Sequence, residues 1–510
     1  MKLKVKELNF ETGNMLVIVL NSKDAAQLGQ KAGERVMLKS SKSKINKPLI
    51  AILDISYTDS IIAPGEIGIF LDTLKNFENL ENLDEISVVP AQTPDSFAYI
   101  QKKIKGQKLT SDEINSVIND AVSGHLSQIE LASFITGVSI NGMDDYEMTA
   151  LTLAETRTGE FFNFGPDVFD KHSTGGVPGN KVSLIIVPII AAAGLMIPKT
   201  STRAITSPSG TADTMEVLAP IKFDSEELKN LISKEKACIV WGGSLDISPA
   251  DNILIEIERP LHMDPVGLMI PSILTKKLSM GVKNLVLDIP CGPGTKFPTP
   301  DDGRKFAIFF KEIAKSVGIN SECALTLAHQ PIGHCVGPAL EAKEALTLLM
   351  DYSAGPNSLI EKSTDLAGIL LEMGGKAQKG KGQDLAKEIL RSGKAYLKMK
   401  QIIKAQGGDP EIKPEDIKLG SYEKEFYAIK AGHITEVNNS IINQIAKSAG
   451  CPHSKTSGVE VYKKQGARIK EGELIFKIYS DSENKLKKAE KIYNKTGGPI
   501  ILGGMMIERI

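Results

Sequence analysis

The sequence predicts a multidomain α/β protein with four parts: a small N-terminal β-rich domain, a helical domain, a central α/β domain with a mixed sheet, and a C-terminal β-rich subdomain. Three observations predict it. Short apolar runs separated by turn residues fill both ends of the chain, which is strand patterning. Residues 95–159 carry apolar side chains at helical spacing. Between Asp170 and Glu216 two loops rich in glycine and hydroxyl residues each follow a short extended segment and each open a helix.

Bulk properties set the limits. With 510 residues the chain has room for about three or four domains at roughly 150 residues each. Its 61 basic and 62 acidic side chains leave no global field for nucleic acid or an anionic membrane, so any anion binding is local. The start, MKLKVKELNF, lacks the apolar run of a signal peptide, and the apolar stretch Val182 to Pro198 is interrupted by Pro188 and Gly194. A soluble cytoplasmic protein is expected. The five cysteines form no C-x-x-C pair, so neither a disulfide framework nor a zinc site is expected.

Taken in order, residues 1–88 alternate β-type runs (Met15 to Leu20, Arg35 to Leu38, Leu49 to Ile55, Gly68 to Leu71, Ile86 to Val89) with turns and hold no cluster of titratable groups. Residues 95–163 read as a helical bundle, with Thr110-Ser111-Asp112-Glu113 and Ser127-Gln128-Ile129-Glu130 as helix starts. Residues 165–250 begin the α/β part. After Asn252 the chain turns helical again; Asp264 suits an N-cap, Pro265 suits a first helical position, and Ser272 and Lys276 share one helix face. Residues 306–316, 359–373 and 384–398 read as helices and 324–328 as a strand, before a β-rich end at 432–503.

The two loops carry the chemistry. Lys171, Ser173, Thr174, Gly175 and Gly176 precede the apolar helix Val182 to Ala193, and the second loop runs from Thr202 to Thr211 with Arg203 in it. Free N–H groups at a helix N-terminus hold phosphate oxygens, and glycine lets backbone approach closely. Ordinary turn-and-cap loops also prefer Gly, Ser and Thr, but two loops in one unit, each with a cation, favour an anion site. No Gly-x-x-x-x-Gly-Lys-Ser/Thr can be written here, which excludes a P-loop nucleotide hydrolase.

Lys171-His172-Ser173-Thr174-Gly175-Gly176, with Gly210-Thr211-x-Asp213-x-x-Glu216 after Arg203, resembles the signature of the thymidine/pyrimidine-nucleoside phosphorylase family. The variant Arg203-Ala204-Ile205-Thr206-Ser207-Pro208 is most similar to the archaeal branch of that family, the AMP phosphorylases. Gln330-Pro331-Ile332-Gly333 and Gly337 to Glu341 match as well, and the N-terminal domain resembles one that the pyrimidine enzymes lack. The C-terminal rhythm is also similar to an acylated-lysine module, but no Met-Lys-Met occurs to carry biotin.

The resemblance implies that 252–285 returns to the helical domain, that 286–430 completes the α/β domain, and that the cleft lies between the two. It implies phosphorolysis of AMP, with CMP and UMP as further candidates, giving free base and ribose 1,5-bisphosphate. Asp264 would be the proton donor to the departing base, with His262 the alternative acid. AMP contacts would fall on Gly176, Thr202, Arg203, Ala204, Ile205, Thr206, Ser207, Thr211, Ser272 and Lys296, and inorganic phosphate on Lys171 and Ser173. No cofactor or metal is implied, phosphate is a co-substrate, and a homodimer or larger homo-oligomer is expected. Glu258 stands where the pyrimidine enzymes use an arginine to read their base, which argues against a thymidine pocket. The rival readings are a pyrimidine-nucleoside phosphorylase, a phosphoribosyltransferase and a nucleotide-sensing assembly protein.

Overall fold

A computed structural model describes residues 1–13, 15–39, 49–75, 85–204 and 207–503. The chain forms two compact units, one of Met1–Thr158 with Pro249–Pro271 and one of Gly159–Ser248 with Ser272–Ile510. No helix among the described residues is long and apolar enough to cross a membrane.

The first unit begins with a closed six-stranded barrel of β1 (Lys2–Leu8), β2 (Val17–Asn21), β3 (Arg35–Lys39), β4 (Leu49–Ser56), β5 (Glu66–Phe70) and β6 (Glu85–Pro90), in the order β1-β5-β2-β4-β3-β6. Pairing of β6 with β1 closes it, and closure removes the open strand edges that a sheet this small would otherwise present. Strand β1 is absent from the runs read in the sequence because lysines alternate with its apolar residues and only Leu3 is buried. The sequence reading also passed over the helix Ser22–Leu28, which the Asn21 side chain caps at Lys23 N (3.1 Å). Helices Ser96–Ile104, Ser111–Val122, Gln128–Asn141 and Asp145–Thr156 follow. Capping boxes start the last three, at Thr110/Glu113, Ser127/Glu130 and Asp144/Glu147.

The second unit is built on parallel strands β7 (Phe169–Ser173), β8 (Ile197–Ser201), β9 (Ala237–Trp241), β10 (Asn284–Cys291) and β11 (Asn320–Leu327). They run β11-β10-β7 and β8-β9, joined by a parallel bridge between Val168 and Met196. Every described pairing is parallel, where the sequence analysis expects a mixed sheet. Helical crossovers link successive strands and return the chain to the same end each time, which imposes that direction. The helix Ser183–Ala192 is almost wholly buried. Its six large apolar side chains (Leu184, Ile185, Ile186, Val187, Ile189, Ile190) are worth about 9–18 kcal/mol as an upper bound. Helices Pro338–Met350 and Asn357–Met373 pack in the same core. The run read as one helix over 384–398 is two, Gly382–Arg391 and Lys394–Ala405, broken where Gly393 takes a left-handed φ of 75°.

The C-terminal region forms a four-stranded sheet in the order Cys335–Val336, Gly458–Val461, Leu474–Ser480, Tyr422–Tyr427 and a three-stranded sheet of Arg468–Ile469, Gly432–Val437 and Ile500–Gly503. Helices Asn439–Ala449 and Glu483–Thr496 complete its core.

Candidate active site

In an open parallel sheet the carboxyl ends of the strands are where ligands collect, because the loops there are free to vary while the strands hold them. The loops after β7, β8 and β10 all leave that edge. They carry most of the residues singled out above.

Asp288, fully buried on β10, is the centre of the first group. Parallel register places it beside Ser173 of β7, whose Oγ donates to Asp288 Oδ2 at 2.8 Å. Asn180 Nδ2 donates to the same oxygen (3.3 Å) and Thr326 Oγ1 to Oδ1 (2.6 Å). Two ammonium groups complete it, Lys362 Nζ at 3.0 Å and Lys171 Nζ at 3.6 Å, both from Oδ2. Although burial opposes ionisation, these lysines and hydroxyls hold the Asp288 carboxyl well below the usual carboxylate range. Burial pushes Lys171 down to about 8, with Asp288 pulling the other way. Three buried polar atoms of this group, Thr174 Oγ1, Asn180 Oδ1 and Lys362 Nζ, make no hydrogen bond among the described residues. Lys362 Nζ is answered by its ion pair with Asp288, but native interiors rarely leave atoms such as Thr174 Oγ1 and Asn180 Oδ1 unused, and the two together favour a place for a polar guest.

A second buried carboxylate, Asp170, lies at the other end of β7. Lys277 Nζ donates to its Oδ2 (2.5 Å) and Lys199 Nζ stands 3.4 Å from Oδ1. Burial pushes Lys199 down to about 7. The His172 imidazole, between these groups in sequence, is pushed well below its ordinary value by burial and then by Lys277, Lys199, Lys276 and Lys171. Four buried lysines therefore share two buried aspartates in two groups, Lys171 and Lys362 at Asp288 and Lys199 and Lys277 at Asp170.

The second loop is closed by Asp213. Its Oδ2 accepts from Ala204 N (2.7 Å) and Gly210 N (3.0 Å), and its Oδ1 from Arg203 Nη1 (3.0 Å). Arg203 also grips Glu216 through both terminal nitrogens (2.7 and 2.8 Å) and lies over the Trp241 ring at 5.2 Å. The bonds from Arg203, reinforced by Lys455, hold Glu216 down to about 2. The charge of Arg203 is thus largely answered within the protein. The helix this loop opens, Thr211–Met215, has only five residues, so the full helical N-terminus expected there is a single turn.

The other candidates are placed as follows. Gly176 has a left-handed φ of 89°, and a Cβ there would stand 3.1 Å from Thr295 Cα and 3.4 Å from Lys296 N, so the first loop packs on the loop that carries the exposed Lys296. Ser272 and Lys276 do share a face of the helix Val266–Ser279, with Lys276 Nζ 3.0 Å from Ser272 Oγ. Thr202 is exposed, and Ser207 Oγ donates to Ser209 O (2.9 Å). Ile205 and Thr206 lie outside the described residues. Asp264 belongs to the other unit, is exposed, and precedes a helix whose first accepting carbonyl is that of Pro265 (Met269 N to Pro265 O, 2.9 Å).

Sequence reasoning missed Asp170, Lys199, Lys277, Asn180, Asp288 and Lys362. A signal existed for one of them: Asp288 interrupts the otherwise largely apolar strand β10, and a lone carboxylate in a buried strand needs a partner.

Residues 98–158 match the helical bundle domain and residues 165–396 the a/b domain of a glycosyl transferase family, and residues 433–497 match the pyrimidine nucleoside phosphorylase C-terminal domain. Over its whole length the chain is 47% identical to the AMP phosphorylase of Methanosarcina mazei, covering 98% of that protein, and 45% identical to that of Thermococcus kodakarensis, covering 99%. The AMP phosphorylase of Methanocaldococcus jannaschii is 43% identical, with 100% of this chain and 99% of that protein covered. Among solved structures, anthranilate phosphoribosyltransferase from Thermus thermophilus shares the fold at a TM-score of 0.50 and 20% identity, covering 60% of this chain and 98% of that one.

Proposed function

This chain belongs to the AMP phosphorylase family, and on that premise we propose that it cleaves AMP with inorganic phosphate to adenine and ribose 1,5-bisphosphate in the cytoplasm, without a cofactor. The observation that carries the reading is identity at 43–47% across the full chain with proteins of that activity. The two lysines that meet the single carboxylate of Asp288 near the C-terminal edge of the sheet, Lys171 and Lys362, support it.

In the reaction a phosphate oxygen forms a bond to C1′ as the bond from C1′ to the purine nitrogen breaks, and the electron pair leaves with the base. A proton delivered to N7 lets the base depart neutral, and general acid help of this kind contributes typically about 10²–10⁴-fold. Asp264 is the proposed donor. Lys171 and the loop after β7 are the proposed seat of inorganic phosphate. Ser173 joins them when its hydroxyl turns from Asp288, to which it donates in this structure. Gly176, the Thr202–Ser207 segment, Thr211, Ser272 and Lys296 are the proposed AMP contacts. Fixed cations at the phosphates stabilise charge as it develops, where one lost donor costs about 10²–10³-fold in rate.

Phosphate-dependent release of base from AMP, CMP, UMP, adenosine and thymidine, with the sugar product identified, tests the reading. Adenine with ribose 1,5-bisphosphate from AMP, and little from adenosine, is the expected result; cleavage of the nucleosides alone would overturn it. Self-association is part of the proposal, supported by Ile129 and Ile140, which the helix Gln128–Asn141 leaves 79% and 76% exposed. A single-chain mass by light scattering would reject that part.

A further inference from the structure

The reading above gives Lys171 to inorganic phosphate, yet Lys171 faces a buried carboxylate. A phosphate placed beside an uncompensated Asp288 would meet a like charge, and a Lys171 committed to Asp288 would have little left to offer. The site needs a second cation to resolve this.

We propose that Lys362, on the helix Asn357–Met373, is that cation: it neutralises Asp288 and so frees Lys171 for inorganic phosphate. Four observations carry the inference. Lys362 Nζ is the nearer ammonium, 3.0 Å from Asp288 Oδ2 against 3.6 Å for Lys171. The same oxygen takes the Ser173 hydroxyl and the Asn180 amide, so its charge fixes side chains of the loop after β7. Lys362 Nζ makes its ion pair without hydrogen-bond alignment to any described residue, so charge is what it contributes there. Lys362 also rises from a helix outside the loop, so it stays with Asp288 when the loop takes up its ligand. Lys362 is thus a positioning residue acting through Asp288, and Lys171 moves from the carboxylate to the phosphate as the site fills. The inference rests on the proposal that Lys171 holds phosphate.

The test measures binding of inorganic phosphate, without nucleotide, by calorimetry on the full-length protein, with AMP binding measured separately. Lys362→Met is expected to weaken phosphate binding by about tenfold or more, because it leaves Asp288 unanswered and draws Lys171 back, while AMP binding stays within about twofold. Lys362→Arg is expected to keep most of the phosphate affinity. The decisive variant is the double substitution Asp288→Asn with Lys362→Met, which removes carboxylate and counter-ion together and is expected to recover phosphate binding to within a few-fold of the unsubstituted protein. The same variant decides the matter if Lys362→Met alone does not fold. Unchanged phosphate binding in Lys362→Met would overturn the inference, and so would a folded double variant that binds phosphate as poorly as the single one. If the unsubstituted protein binds AMP but no phosphate, the phosphorolysis reading falls and this inference with it, a result distinct from either of those.

Discussion

Gly210→Ala offers a quantitative test of the closed loop between Thr202 and Thr211. Gly210 has an ordinary φ of −94°, so alanine meets no backbone strain; the objection is one of space. A Cβ at this position would stand 2.7 Å from Ala204 N, 2.7 Å from Thr202 O and 2.9 Å from Arg203 C. All three are backbone atoms, so no side chain can turn aside, and the two arms of the loop must part by several tenths of an ångström. The bonds at stake are those that Asp213 Oδ2 accepts from Ala204 N and Gly210 N. Two such bonds at about 0.5–1.5 kcal/mol each give about 1–3 kcal/mol, or roughly 5- to 150-fold in an equilibrium. Arg203, anchored separately on Glu216, keeps the change local. The expected outcome is a rise of that size in KM for AMP, little change in KM for phosphate and a thermal midpoint close to that of the unsubstituted protein. An unchanged KM for AMP would refute the reasoning, because the loop would then open without consequence or take no part in binding.

Three other outcomes follow from the same structure. Asp264→Asn should abolish most turnover while AMP binding by calorimetry persists, and turnover at the original rate would remove Asp264 from the mechanism. Because burial holds Lys171 near 8, its positive charge fades as pH rises through that value, so KM for phosphate at saturating AMP should climb above about pH 8; a flat profile to pH 9.5 would mean that Lys171 is not a phosphate ligand. Burial raises Glu341 to about 7, its backbone bond from Gly337 notwithstanding. A carboxyl raised in the folded state contributes stability that is complete below its ordinary value near 4.5 and is lost as pH rises through 7, so Glu341→Gln should flatten the fall in thermal midpoint across that window. An equal fall in both proteins would assign the loss elsewhere.

Much of the site was legible because its loops are written in residue types with few other uses. Gly175, Gly176 and Gly210 sit where backbone turns left-handed or passes close to backbone, and Thr110, Ser127 and their glutamates three residues on are caps in the structure as in the sequence. What stayed hidden was partnership across the sheet. Nothing local to Lys362 tells that its helix brings it to Asp288, since that meeting is decided by strand register and helix packing. Arg203 was visible by its motif, but its bonds to Asp213 and Glu216 were not, because those partners are set by how the loop closes. The direction of the central strands was likewise hidden, because period-two patterning says which face is buried and nothing about which way a neighbour runs.

The four-stranded sheet near the C-terminus has a consequence for domain exchange. One of its strands, Cys335–Val336, comes from the middle of the α/β region and pairs with Gly458–Val461. Lys464 reaches back to Pro331 O (2.5 Å) and Ser358 Oγ (3.1 Å), and Lys455 to Glu216. The terminal region is therefore tied into the α/β region by a shared strand pairing and by side-chain bonds, and is not joined to it by a linker alone. Any exchange of the C-terminal region would have to restore both sides of this shared hydrogen-bonded ladder at once.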